Sequence, residues 1–122
     1  MGKTVNDAVL DGALDIIKNN VVTISVCSSE PTTRTEADAT YMLAKKTITG
    51  AEFTHANGDT SGRKTTCAQQ SAISITNTGT ALHVALYAAA VLYYVTTCTS
   101  QALTAGGTVT IPAWDIEIAD PT

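Results

Sequence analysis

Only a few residues of this sequence have the chemical types that catalysis requires. Nucleophilic catalysis needs a Ser or Cys nucleophile, a base, and a group that orients the base. The two histidines are His55, which precedes a polar turn, and His83, which falls within an alternating strand pattern. The sequence has no G-x-S-x-G motif, in which a strained turn exposes the nucleophile. We therefore interpret both histidines as loop or sheet residues and predict a protein without catalytic residues.

Metal, phosphate and acid–base sites are also poorly matched. Asp115 and Glu117 lie two residues apart on one strand face, where solvated charges are commoner than an acid–base pair. Residues 57–61 are rich in oxygen atoms but lack the spacing of a calcium loop. No H-x-x-x-H or H-E-x-x-H motif is present. Gly106 and Gly107 lead into a strand pattern, whereas a phosphate-binding loop leads into a helix. We expect no metal and no cofactor.

The three cysteines give no metal or redox motif. Cys27, Cys67 and Cys98 are widely spaced, and no C-x-x-C pair occurs. We interpret them as reduced, small apolar residues on or beside strands. One disulfide or one reactive thiol is the alternative.

Composition excludes several classes of partner. The chain has 122 residues, which suits a single domain over 1–122, and its formal net charge is −4. A chain with this net charge does not show the excess of basic residues that nucleic-acid binding requires. No apolar run is long enough to span a bilayer, and the polar N-terminus lacks the layout of a secretory signal. We expect neither a nucleic-acid nor a membrane partner.

The N-terminal segment has helical periodicity. Thr4 is in a capping position, and the spacing predicts a helix at about 5–19. Its apolar residues form one broad stripe that we expect to dock on an apolar surface, either of the β-domain or of a neighbouring molecule. These residues are Val9, Leu10, Ala13, Leu14, Ile16 and Ile17.

The rest of the chain, about 21–119, has the pattern of short β-strands. Charged residues make up 15% and Thr occurs 22 times, and β-branched residues favour strands. The period of two predicts half-buried strands at Val22–Cys27 and Leu82–Tyr87 and a strand from Trp114 to Ile118. Seven or eight such strands with regular turns predict a mainly β fold, an antiparallel β-sandwich or partly open barrel.

Turn and loop signals separate these strands. The strongest turn is Asn57–Gly62, and Gly106 marks another reversal. We predict a hairpin turn near Ala88–Ala90 and a strand edge or bulge at Pro112. Residues 28–40 are polar and form the one long irregular loop, a kind of segment that is often functional or mobile.

Several segments of the sequence are similar to those of a known class of protein. They are Lys3–Asp11, Asn57–Lys64, Thr78–Leu86, Leu92–Thr96 and Thr110–Ile118. Together they resemble small virion structural proteins of tailed bacteriophages and prophages. The low charge and Thr-rich strands also suit a chain that packs against other proteins.

The resemblance implies a structural role without catalytic residues. The expected role is a head decoration (cement) protein, made in the host bacterial cytoplasm, which binds the outer capsid surface and stabilises the head. Its partners would be the major capsid protein and other virion proteins, with a homo-oligomer as a further possibility. We expect loops to make the contacts. The candidate partner-binding residues are Glu30, Thr33, Arg34, Asn57, Asp59, Arg63 and Lys64.

Other functions remain open at this stage. A tail, adaptor or fibre-associated protein belongs to the same structural class. A receptor- or glycan-binding β-module is a different class, but it usually needs exposed aromatic residues, and we expect Trp114 in the core. A small hydrolase is the weakest alternative, because the sequence shows no catalytic constellation.

Overall fold

In the computed structural model, which describes residues 5–120, one α-helix is followed by nine β-strands. The helix α1 covers Asp7–Asn20. The strands are β1 (Thr23–Cys27), β2 (Met42–Thr47), β3 (Phe53–Asn57), β4 (Arg63–Cys67), β5 (Gln70–Ser74), β6 (Gly79–Tyr87), β7 (Leu92–Leu103), β8 (Thr108–Ile111) and β9 (Trp114–Ile118). A single π-helical turn, Glu36–Thr40, precedes β2, and a 3₁₀ turn, Gly50–Glu52, precedes β3.

The strands form three antiparallel sheets. Their orders are β2-β1-β6-β7, β3-β4-β9 and β5-β8. Strands account for 49% of the residues, which confirms the predicted mainly β fold with one N-terminal helix. Over residues 5–120 the sheets do not close into a barrel, and the arrangement is sandwich-like. Residues 5–120 contain nine strands, against the seven or eight predicted from sequence.

The main core lies between the four-stranded sheet and the two smaller sheets. Ile24 and Leu86 on one side and Phe53, Cys67 and Ile116 on the other are at most 5% exposed. Burial of these apolar side chains supplies most of the driving force for folding.

A second, smaller core covers the opposite face of the four-stranded sheet. Ala37, in the π-helical turn, packs there against Cys27, Ala85 and Tyr87. The Ser25 hydroxyl donates a hydrogen bond of 3.0 Å to the carbonyl of Ala37. The prediction of a half-buried strand at 22–27 was therefore wrong, because the 28–40 loop folds back and buries the second face. The loop is an ordered cover for the sheet.

The helix begins and ends close to its predicted bounds. Asn6 is its cap, and the Asn6 Oδ1 accepts a 2.8 Å hydrogen bond from the Ala8 amide. The predicted cap, Thr4, lies outside the described residues. Leu10 and Leu14 are buried, as expected.

Three other residues of the predicted apolar stripe face solvent, whereas Ile17 packs against the main core. Val9 is 63% exposed and Ile16 is 54% exposed, and Ala13 is also exposed. The expected docking of the helix is therefore made by one side of the stripe, Leu10, Leu14 and Ile17, while charged groups of α1 pair with the three-stranded sheet. Asp11 pairs with Arg63 on β4 at 2.9 Å, and Asp15 pairs with His55 on β3 at 2.7 Å.

The alternation predicted for β6 is broken by a bulge. Ala81 pairs with Gln101, whereas His83 pairs with Thr97, so β7 has two more residues than β6 between these pairs. Leu82 is 39% exposed although its pattern predicted burial. The pairing of β6 with β7 sets this register, and the sequence pattern of β6 alone does not reveal it.

The predicted reversals are confirmed. Residues 58–62 join β3 to β4, and the Ala88 amide donates to the Val91 carbonyl in the turn between β6 and β7. Gly106 lies in the turn before β8 with φ of +92°. Pro112 separates β8 from β9. No helix among the described residues is long and apolar enough to cross a membrane.

Candidate protein-binding site

The first group of predicted contact residues lies on the 28–40 loop. Glu30 and Thr33 are exposed. Arg34 is folded inward: its Nη1 lies 3.3 Å from Asp38 Oδ2, and its Nε donates a 3.3 Å hydrogen bond to the Ala88 carbonyl. The guanidinium also lies over the Tyr87 ring, 5.7 Å from its centroid. Arg34 therefore attaches the loop to the turn between β6 and β7.

The second group surrounds the turn between β3 and β4. Arg63 donates to Asp11 and to Asn57, with distances of 2.9 and 2.8 Å. Lys64 Nζ lies 2.7 Å from Asp59 Oδ1 and 3.2 Å from Asp115 Oδ2. Both cations already have partners within the chain, so they are poor candidates for primary contact with another protein.

The contacts of Lys64 shift the pKa of two groups, Asp115 and Lys64 itself. A hydrogen bond from the Thr66 hydroxyl, together with Lys64, lowers the pKa of Asp115. The carboxylates of Asp59 and Asp115 raise the pKa of Lys64. These groups hold β4, β9 and the preceding turn together. The two predicted groups remain apart, one on the outer face of the four-stranded sheet and one on the three-stranded sheet.

Within residues 5–120, no group of three or more His, Cys, Asp or Glu side chains is placed to hold a metal ion. Cys27, Cys67 and Cys98 are free thiols on strands. Burial raises the pKa of Cys67 to about 11, which leaves its thiol protonated at neutral pH.

A large uncharged part of the chain contains the best candidate surface. Residues 65–114 include no Asp, Glu, Lys or Arg. This span covers strands β5 to β8, and β7 forms one edge of the four-stranded sheet. In the part of the chain that the structure describes, no hydrogen bond joins the outer edge of β7 to another element. Sequence reasoning missed this surface, although the long gap between charged residues was a visible signal.

A groove lies beside β7. Its volume is about 780 Å³, and it runs between β7 and the segment that includes β8, Pro112 and the start of β9. Its lining combines apolar side chains with hydroxyl and amide groups. The lining residues are Val26, Ala81, Val84, Thr96, Thr97, Cys98, Thr99, Gln101, Val109, Thr110, Ile111, Pro112, Trp114 and Asp115.

Trp114 occupies a special position in this groove. Its ring stacks on Tyr94, with centroids 5.8 Å apart and planes at 29°. The indole N–H is buried without a hydrogen-bond partner among the described residues. Trp114 packs against the main core but is only partly buried, which agrees in part with its predicted place in the core. The bulge of β7 after Thr97 lies at this groove, and bulges are common beside binding sites.

Comparisons of the chain with protein-family models, with curated proteins and with solved structures gave no match. A sandwich-like fold does not by itself assign an activity, because the same architecture has many functions. The function must therefore be inferred from the surface itself.

Proposed function

We propose that this chain is a non-enzymatic structural protein of a virion, and specifically a decoration protein that binds the outer surface of a tailed-phage capsid. The observation that carries an assembly role is the uncharged outer edge of β7 with the groove beside it. The choice of a tailed-phage capsid as this assembly rests on the resemblance of several sequence segments to virion proteins.

The edge supports this role because proteins normally protect such strands. Lys, Pro or very short length prevents an edge strand from pairing with other chains. The opposite edge of the same sheet, β2, has Lys45 and Lys46 exposed. Leu92–Leu103 has neither a charged residue nor a proline. This asymmetry is expected where one edge is kept for a partner.

A decoration protein stabilises its capsid by binding the assembled form. Binding to one state shifts the equilibrium toward that state, and many copies add their contributions. The β7 edge and its groove are the proposed primary contact. Glu30, Thr33 and Asp59 are exposed and lie on loops, so their contribution would be peripheral.

Co-sedimentation with undecorated phage heads tests this function. The full chain should bind heads saturably, at a fixed ratio to capsid subunits, and its native mass gives the state in which it docks. The Thr96→Lys variant places a charge in the groove and should bind much less. Thr54→Lys, the same change on exposed β3, is the matched control. No binding to heads, with binding to tail particles, would move the proposal to a tail or adaptor protein.

The groove also favours a second candidate, a glycan-binding module. Sugar rings often stack on aromatic side chains, and Trp114 is accompanied there by the Thr96 and Thr110 side chains. A glycan array with the full chain, followed by tryptophan fluorescence titration, tests this candidate. Retained binding by a Trp114→Ala variant that remains folded would exclude the groove as a sugar site.

A further inference from the structure

The edge of β7 has a regular segment that can pair with another strand. From Tyr94 to Thr97 the strand pairs with β6 without interruption, and a bulge at Tyr93 separates this part from Leu92, which pairs with Tyr87. Beyond Thr97 the bulge at Cys98–Ser100 interrupts the ladder. The outward N–H and C=O groups of Leu92–Thr97 are therefore in position to bond to an added chain.

From Tyr94 to Thr96, side chains alternate between the two faces of the sheet. Tyr94 packs against the main core, and Val95 packs against the smaller core on the other face. Thr96 lines the groove. A strand added beside β7 has the same alternation, so every second side chain would point toward the mouth of the groove.

We propose that Leu92–Thr97 accepts an extended, uncharged segment of a partner polypeptide as an added strand, with its alternate apolar side chains in the groove. The inference rests on the proposed assembly function and specifies its contact. The contact combines main-chain hydrogen bonds with side-chain pockets.

The charge distribution selects an uncharged segment. Asp115 is the one ionisable carboxylate or ammonium group that lines the groove, and it already bonds to Lys64 and Thr66. A charged side chain inserted into the groove would lose its hydration without a free counter-charge. Small apolar side chains match the Val26, Val84 and Val109 side chains that line the groove.

The other wall of the groove is a poorer site for strand addition. Pro112 lies between β8 and β9 and has no N–H to donate. On β9, Asp115 and Glu117 are exposed charges of the kind that protect an edge. The added strand is therefore assigned to β7.

A second copy of the chain is a poorer occupant than a different polypeptide. Each copy has a net charge of −4, so two copies repel each other. The bulge at Cys98–Ser100 also prevents two β7 strands from pairing over their full lengths.

Hydrogen exchange on the full chain with a defined peptide tests the inference. The probe is a capped peptide of about seven residues that alternates Val and Thr. We expect it to slow amide exchange within 92–97 and to slow alkylation of Cys98, which lines the groove. A matched peptide with Lys in place of Val should bind at least about tenfold more weakly.

Protein variants provide a second comparison. Thr96→Lys should weaken binding of the Val/Thr peptide at least about tenfold, whereas Thr54→Lys should leave it unchanged. If Thr96→Lys does not fold, the difference in binding between the Val/Thr peptide and the Lys peptide on the unmodified chain still tests the inference. Protection at β9, or no protection at 92–97, would overturn the inference. Protection of 92–97 that increases with protein concentration in the absence of peptide would assign the edge to a second copy instead.

The two proposals fail in different ways. Protection of 92–97 by the peptide without binding to heads would leave strand addition intact and remove the decoration role. Normal binding of the Thr96→Lys variant to heads, without peptide protection, would leave the decoration role and remove strand addition.

Discussion

The hydroxyl of Tyr87 on β6 donates a 2.9 Å hydrogen bond to Asp38 Oδ1 in the π-helical turn. The same oxygen lies 3.0 Å from Lys45 Nζ on β2, and the other carboxylate oxygen lies 3.3 Å from Arg34. Asp38 thus connects the 28–40 loop to two strands of the four-stranded sheet. Burial, with the Asp38 carboxylate, raises the pKa of Tyr87 above its usual range, so the phenol remains a donor.

Replacing Asp38 tests this connection. Asp38→Asn should lower the free energy of unfolding at neutral pH by about 1–3 kcal/mol, because a buried hydroxyl loses its charged acceptor. Urea unfolding, with Glu30→Gln as a control at an exposed acid, measures the difference. An unchanged midpoint for Asp38→Asn would contradict the structural role of this carboxylate.

The pH dependence of stability gives a separate prediction. The hydrogen bond from Lys45, with those from other groups, lowers the pKa of Asp38 in the folded chain. A lowered carboxyl pKa contributes stability that is present above the unfolded-state value of about 3.9 and is lost as the pH falls through the folded-state value. The difference between the parent chain and Asp38→Asn should therefore shrink as unfolding is measured at progressively lower pH. A constant difference would mean that the Asp38 charge contributes nothing.

The partial burial of the apolar stripe of α1 predicts which helix substitutions matter. Val9→Lys and Ile16→Lys should each change the free energy of unfolding by less than about 0.5 kcal/mol, because both side chains are largely exposed. Leu14→Ala should cost about 2–5 kcal/mol, since Leu14 is 1% exposed. Thermal unfolding of the three variants at matched concentration provides the comparison. A large loss with either Lys variant would indicate that this helix face is covered.

Two glycines with positive φ should differ in their tolerance of a side chain. Gly62 has φ of +70°, and a Cβ there would meet the carbonyl oxygen of Ile118. Gly106 has φ of +92°, and a Cβ there would meet nothing within 4 Å. Gly62→Ala should cost more than about 2 kcal/mol and Gly106→Ala about 1 kcal/mol. Equal denaturant midpoints for the two variants would show that the contact with Ile118 does not affect stability.

The three thiols should react in a fixed order. Cys98 is partly exposed, whereas Cys27 and Cys67 are 0% exposed. Burial raises the pKa of all three, so even Cys98 should react with iodoacetamide at mildly alkaline pH more slowly than free cysteine. Peptide mapping by mass spectrometry should find label on Cys98 in native buffer and on all three after unfolding. Native labelling of Cys67 at the rate of Cys98 would contradict the buried position of β4.

The sequence by itself determined the elements and most of their boundaries. Alternating β-branched residues specify strands, and the Asn57–Gly62 and Gly106 signals specify reversals through local backbone preferences. Local patterns also placed the helix to within two residues at its start. The apolar period of two in residues 22–27 and 82–87 includes Ile24 and Leu86, which are buried in the structure.

The tertiary structure decided which faces are covered and which edges are open. Asp11 and Asp15 of α1 pair with residues that are 52 and 40 positions away in the chain, so no local window contains this information. The 28–40 loop buries Cys27 by folding over a face that periodicity assigned to solvent. The lack of charge in residues 65–114 is visible in the sequence, but its meaning depends on β7 being an edge strand beside a groove. Edges and grooves arise from the pairing of distant strands, and pairing order is a property of the whole chain.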